Sequence, residues 1–167
     1  MSTIPNKANF HLTKVKLDPQ TGLAVNYQIT ITEGDDACVI DRAESSSREV
    51  HPDLKQAIEE LRGIVCDTFG LPEDVAERIE PRGVAYSGNG KARGVVITAI
   101  LEAVNGTKAA LNTPRIKVEQ SSFGFEEELS AMVDVISNEV YAYLFEGKQA
   151  RLSLFGEQPG GAFNPAE

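Results

Sequence analysis

Hydrophobic and polar residues alternate twice near the start of the chain, first over residues 10–17 and then over 23–32. A period of two is typical of strands with one buried face. The intervening Asp-Pro-Gln-Thr-Gly segment contains the residues that favour tight turns. The pattern predicts an antiparallel β-hairpin, then a shorter strand at 37–40 and a polar surface loop at 41–48.

The next hydrophobic pattern is helical. Apolar residues recur at spacings of three and four from Leu54 to Phe69, which is the period of an amphipathic helix. The preceding His51-Pro52-Asp53 resembles a helix start, because proline fits the first turn and an acidic residue there stabilises the helix dipole. Gly70 is placed to end the helix. We therefore predict one helix over 51–70, with a further short helical turn at 72–79.

The second half of the chain repeats this plan. A meander of about three strands is predicted over 82–118, with Asn105-Gly106 at a hairpin turn. A second long helix is predicted to start after 121–124, where glutamates occupy its first turn, and to end at Gly147. Its apolar stripe consists of Phe125, Leu129, Met132, Ile136, Val140 and Tyr143.

These elements predict an α+β fold made of two β-meander-plus-helix halves. We predict one antiparallel sheet with two long helices packed on one face, the alternative being a pseudo-twofold pair of such layers. We assign residues 1–147 to a single α+β domain. Residues 148–167 are predicted to form a C-terminal peptide and flexible tail, because the last twelve residues are rich in glycine and proline.

Composition narrows the classes of function. The chain has 167 residues, 41% of them hydrophobic, and a formal net charge of -9, which argues against a basic coat for duplex DNA or anionic lipid. No apolar run is long enough for a transmembrane span or a secretory signal, so we expect a soluble, cytoplasmic protein. Residues 119–147 contain seven acidic residues and neither lysine nor arginine, which predicts an acidic strip on the last helix. This strip is either a plain solvated face or a surface that repels nucleic acid or mimics its phosphates.

A search for catalytic or metal-binding motifs finds none of the usual patterns. Cys38 and Cys66 form no CxxC or Cys/His cluster, so we expect two reduced core cysteines and no zinc site. Neither a nucleophile elbow nor a phosphate-binding loop of the Walker type is present. We predict a protein that is not an enzyme and that needs no metal or cofactor.

Four cations are candidates for contact with nucleic acid or phosphate. Residues 1–32 carry three lysines against one aspartate, which makes Lys14 and Lys16 part of the most basic surface. Lys91 and Arg93 lie in the glycine-rich segment 87–93, whose composition also fits a plain hairpin turn. Four ring side chains in the predicted strands could stack on bases or pack in the core, namely Phe10, His11, Tyr27 and Tyr86.

The clearest motif lies close to the C-terminus. Arg151, Leu152, Ser153, Leu154 and Phe155 resemble the bacterial sliding-clamp-binding pentapeptide, usually Gln-Leu-Ser/Asp-Leu-Phe. Such a peptide inserts leucine and phenylalanine into an apolar pocket while the leading glutamine forms a hydrogen bond. Here Arg151 occupies the glutamine position, and Gln149 lies two residues upstream. The alternative is a C-terminal strand or helix cap that packs on the domain.

The whole chain also resembles a group of small, acidic bacteriophage and prophage proteins. The resemblance rests on Leu-Thr-Lys-Val at 12–15, His-Pro-Asp-Leu at 51–54, Gly-Val-Val-Ile-Thr-Ala at 94–99, Leu-Asn-Thr-Pro at 111–114 and Leu-Phe at 154–155. It implies a phage protein acting in the host cytoplasm, in the setting of DNA replication and recombination.

Together these features predict a non-enzymatic phage accessory protein of DNA replication or recombination. It would bind the host sliding clamp through the tail, and either single-stranded DNA or another replication protein through the Lys14 and Lys16 face. Exposed edges of the meanders favour a homodimer. The alternative is a phage inhibitor or sequestering protein that acts against a host defence system, using the acidic last helix or a small-ligand pocket near 87–93.

Overall fold

A computed structural model describes residues 4–88, 92–118 and 126–148. After a 3-10 turn at Lys7–Asn9, the elements in chain order are β1 (Phe10–Asp18), β2 (Gly22–Glu33), β3 (Asp36–Ser46), α1 (Pro52–Glu59), α2 (Arg62–Phe69), α3 (Glu73–Ala76), β4 (Ile79–Ser87), β5 (Gly94–Glu102), β6 (Lys108–Asn112), β7 (Ile116–Lys117) and α4 (Glu126–Phe145). The strands form one antiparallel sheet in the order β3-β2-β1-β4-β5-β6, with β7 also paired to β5. The predicted α+β class is confirmed.

The first hairpin forms as the alternating pattern predicts, with one irregularity in β1. A β-bulge lies between Leu12 and Lys14, so Thr13 has no direct partner on β2. The extra residue lets Leu12 and Val15 both face the core although they are three positions apart. The bulge therefore explains why the alternation in this strand is imperfect.

The predicted loop over 41–48 is wrong for most of its length. β3 extends over Asp36–Ser46 and pairs with β2 without any register shift. Nearly all of its residues are exposed, so the strand has no buried face that could produce an alternating pattern. β3 is thus defined by its backbone pairing with β2. Cys38 lies on this strand and is exposed, so the prediction that it is a core cysteine is wrong.

β4 begins before the predicted start of the second meander at residue 82. Pro81 and Gly83 lie inside this strand, separated by a second irregularity in its pairing with β5. Proline is tolerated in a sheet at such bulges, because the backbone pairing there does not need the N–H that proline lacks. β4 therefore starts at Ile79, earlier than its composition indicates.

The predicted helix over 51–70 is interrupted by a tightened turn. Glu60 and Leu61 keep right-handed helical dihedral angles, and the Leu61 amide donates to the Ile58 carbonyl three residues back. This is the geometry of a 3-10 turn between two α-helical segments. The apolar stripe stays buried through Leu61 and Val65 on both sides of the turn.

The helices cover one face of the sheet, and α4 lies across it. Phe145 of α4 packs against Phe10 and Tyr27, which point inward from β1 and β2. Gly147 adopts a φ of 69° after α4, and the Lys148 amide closes the helix by donating to the Ala142 carbonyl. None of the described helices is long and apolar enough to cross a membrane.

The other face of the sheet, here called the open face, has no helix packed on it among the described residues. Side chains alternate between the two faces along each strand, so a residue that follows a core-facing residue points to the open face. They include His11, Lys14, Lys16, Asn26, Gln28, Ala85, Thr98 and Ile100. Most are small or polar, which is the pattern of an antiparallel sheet with one solvated side.

Candidate functional site

The residues of the predicted clamp-binding peptide lie outside the described part of the chain. They are Gln149, Arg151, Leu152, Ser153, Leu154 and Phe155. Lys91 also lies outside it. The remaining predicted contacts, Lys14, Lys16 and Arg93, are described.

These three cations do not form one patch. Lys14 and Lys16 are exposed side by side on the open face, opposite Ala85 and Gly83 of β4. The Arg93 guanidinium instead lies 3.5 Å from a carboxylate oxygen of Asp134 on α4. The predicted phosphate contacts are therefore split between the open face and the helix side.

Most of the predicted ring platform is internal. Phe10 and Tyr27 are buried against each other, with their ring centroids 5.2 Å apart. Tyr86 also points toward the helices, where its hydroxyl donates a 3.2 Å hydrogen bond to the Val133 carbonyl, and burial raises the pKa of this hydroxyl. Only His11 of the four rings lies on the open face. Core packing is thus the correct interpretation for Phe10, Tyr27 and Tyr86.

A cleft opens where the sheet divides between β1 and β4. These strands are paired only at Lys14–Lys16 of β1, which lie opposite residues 83–85. Beyond this short junction lies a cavity of about 910 Å³, lined by β1, β2, β3, β4, α4 and the residues Gly88 and Arg93. This volume lies within the usual range for small-molecule sites. The residues on which the cleft's chemistry depends are His11, Gln28, Ser87, Arg93, Asp134 and Ser137.

Arg115 holds one wall of this cleft in place. Its guanidinium donates a 2.8 Å hydrogen bond to the Ser87 hydroxyl and a 3.2 Å bond to the Ser87 carbonyl. It also donates to the Ala92 carbonyl, so it joins both ends of the β4–β5 connection. A Cβ at Gly94 would lie 2.6 Å from the Arg115 Cζ, so glycine is needed for this close approach. Sequence analysis did not identify Arg115, because its partners are distant in the chain.

A second cluster lies at the end of the described chain. His51 Nδ1 accepts a 3.1 Å hydrogen bond from the Asp53 amide and caps α1. The Lys148 Nζ lies 2.9 Å from Asp53 Oδ2 and 2.8 Å from Glu139 Oε1. His51, Asp53 and Glu139 have the spacing of a metal site, but the Lys148 ammonium already lies between the two carboxylates. We interpret the cluster as an ion-pair network.

The pKa shifts agree with this interpretation. The hydrogen bond from Lys148 lowers the pKa of the Asp53 carboxyl. Hydrogen bonds to Asp53 and then to Glu139 raise the pKa of Lys148. Both charged forms are therefore favoured, and the ion pair between Lys148 and Asp53 is kept across the neutral range.

The acidic strip on α4 is partly neutralised. Asp134 pairs with Arg93 and Glu139 pairs with Lys148, while Glu128 and Glu146 remain exposed. Among the acidic residues of this strip whose side chains are described, Asp134 and Glu139 thus have cationic partners from outside the helix. The strip is less suited to imitating a run of phosphates than the sequence indicates.

No protein-family model matches the chain, and no curated protein or solved structure is significantly similar to it. Any function must therefore be argued from its residues and their geometry.

Proposed function

We propose that this chain is a non-enzymatic phage accessory protein of DNA replication or recombination that binds the host sliding clamp. The observation that carries the proposal is the sequence Leu152-Ser153-Leu154-Phe155, which matches four of the five positions of a clamp-binding peptide. Leu152, Leu154 and Phe155 supply the apolar anchors that such extended peptides insert into a groove.

The position of the motif relative to the domain supports the proposal. The motif begins at Arg151, three residues after Lys148, whose ammonium is held by Asp53 and Glu139. Gly147 has already ended α4 at this point, so the anchor separates the helix from the peptide. A short connection keeps the peptide close to the domain, and a clamp that binds it brings the domain close to DNA.

The proposal is tested by titrating the full-length protein against a purified bacterial sliding clamp. We expect Leu154→Ala and Phe155→Ala each to weaken binding at least tenfold, because burial of such a side chain contributes about 1.5–3 kcal/mol. Isothermal titration calorimetry measures this loss directly. Thermal unfolding of each variant should match the wild type, which separates docking from folding.

Two further variants sharpen the test. Arg151→Gln restores the residue usual at the first position of the motif and should strengthen clamp binding. Phe163→Ala removes another phenylalanine near the C-terminus but outside the motif, so it should leave the affinity unchanged. Equal affinities for the wild type, Leu154→Ala and Phe155→Ala would overturn the proposal.

The cleft between β1 and β4 favours a second candidate function. In this function the protein binds and sequesters a small phosphorylated ligand, and so acts for the phage against a host defence system. Its cavity of about 910 Å³ can hold a nucleotide-sized molecule. Arg93 and His11 supply positive charge or donors, and the Ser87 hydroxyl is fixed by Arg115. A ligand phosphate would compete with Asp134 for Arg93.

This second function predicts a bound molecule. Mass spectrometry of the supernatant after heat denaturation of the purified protein should detect a nucleotide, and added nucleotide should raise the melting temperature. Arg93→Ala should remove this shift, while Arg78→Ala, outside the cleft, should keep it. If no nucleotide tested changes the melting temperature and no bound molecule is released, sequestration of this ligand class is excluded.

A further inference from the structure

β3 forms one edge of the sheet, and no strand among the described residues pairs with its outer side. Natural proteins usually protect such an edge with a bulge, a proline, a very short strand or charged side chains. β3 has none of the first three, because it is 11 residues long, contains no proline and pairs with β2 in unbroken register. β3 does carry charged residues, but they are of both signs and can pair with opposite charges on a further strand. It therefore presents a regular row of backbone donors and acceptors to a further strand.

The same edge exposes apolar side chains. Val39 is 56% exposed and Ile31, on the neighbouring strand, is 41% exposed. Cys38 pairs with Ile31 and is also exposed. Charged side chains lie on both sides of this apolar section of β3, with Asp36 before it and Asp41 and Arg42 after it.

Symmetry limits how β3 can pair with β3 of a second copy. An antiparallel continuation of the sheet requires a twofold axis perpendicular to it, so one residue lies opposite itself and paired residues share a face.

Five registers pair at least seven residues of β3, and they place residues 39, 40, 41, 42 or 43 on the axis. Axes at Asp41 and Arg42 oppose like charges, and an axis at Ile40 places Asp36 opposite Glu44. Axes at Val39 and Ala43 remain.

We propose that two copies of this chain pair through β3 with Val39 on the twofold axis. In this register Asp36 lies opposite Arg42 of the second copy, and the reciprocal pair forms as well. Cys38 lies opposite Ile40 of the second copy. Because Cys38 is already paired with Ile31, and Ile40 with Ile29, an apolar row crosses the interface twice. The two sheets become one.

The Ala43 register is less favourable. It places Arg42 opposite Glu44 of the second copy, but Glu44 already accepts a hydrogen bond from the Tyr27 hydroxyl. It also leaves Val39 and Cys38 outside the paired segment, exposed to solvent. Only the register with Val39 on the axis does both: it covers the exposed apolar side chains and places opposite charges against each other.

A cysteine on the axis distinguishes the registers. In a Cys38→Ser background, Val39→Cys places two thiols opposite each other, with a Cα separation of about 4.5–5.5 Å that suits a disulfide. Mild oxidation of this variant should give a covalent dimer on non-reducing gels. Ala43→Cys in the same background is the matched control and should remain uncrosslinked. The reverse result would overturn the Val39 register.

Charge reversal tests the same interface without a crosslink. Sedimentation velocity should show that Arg42→Glu weakens dimerisation at least tenfold. Adding Asp36→Arg should restore it, whereas adding Glu44→Arg should not. All three side chains are exposed, and circular dichroism should show unchanged folding. A wild-type protein that stays monomeric at 100 μM would overturn the proposal, and this outcome leaves clamp binding by the tail untouched.

Discussion

Replacing Gly83 with alanine should lower the free energy of unfolding by about 3 kcal/mol, at the upper end of the usual cost of overpacking. A Cβ at this position would lie 2.0 Å from the Val15 carbonyl oxygen and 2.9 Å from the Lys16 Cα. Both are backbone atoms of β1, so no side-chain rotation can relieve the contact. Gly83 also belongs to the short junction that joins the two meanders, so moving β4 away from β1 weakens the whole sheet.

Urea denaturation of the purified variant measures this loss, and the melting temperature should fall by about 6–12 °C. Gly63→Ala is the matched control. It lies in α2 with no atom within 4 Å of its added Cβ, and should be neutral or stabilising by up to about 1 kcal/mol. A Gly83→Ala protein as stable as the wild type would contradict the close approach of β1 and β4.

The elements predicted correctly from sequence are those with a buried face. The hairpin of β1 and β2 and the long helix α4 each bury one stripe of residues, so their periods are visible in the chain. β3 was predicted too short, at 37–40, because its pairing comes from backbone hydrogen bonds to β2, which leave no pattern in its side chains. The strand whose length sequence analysis underestimated most is thus one of the two edge strands of the described sheet.

The cleft could not be predicted for a different reason. Sequence analysis selected Arg93 and the 87–93 segment from local composition, and the structure places Ser87, Gly88 and Arg93 at the cleft. Arg115 and Asp134, which hold that segment and Arg93, are 28 and 41 positions away from Ser87 and Arg93 respectively. Their contacts depend on the path of β5 and on the position of α4 across the sheet. No local pattern carries that information.

Replacing Phe10 with alanine should lower the free energy of unfolding by about 3–5 kcal/mol, the usual cost of truncating a buried phenylalanine. Phe10 is only 6% exposed. Its ring centroid lies 5.2 Å from that of Tyr27 and 5.4 Å from that of Tyr141, so the cavity would open between the sheet and α4. Chemical denaturation followed by circular dichroism measures the loss.

Phe69→Ala provides the control for this prediction, because Phe69 is 40% exposed and should cost less than about 1 kcal/mol. The comparison also decides between core packing and base stacking by the first hairpin. A ring that stacks on single-stranded DNA lies at the surface, where its removal weakens DNA binding and leaves stability unchanged. A Phe10→Ala protein that kept full stability but lost affinity for an oligonucleotide would contradict its place in the core. The proposed contact of Lys14 and Lys16 with phosphate is tested separately, since oligonucleotide binding through these lysines should weaken as salt rises.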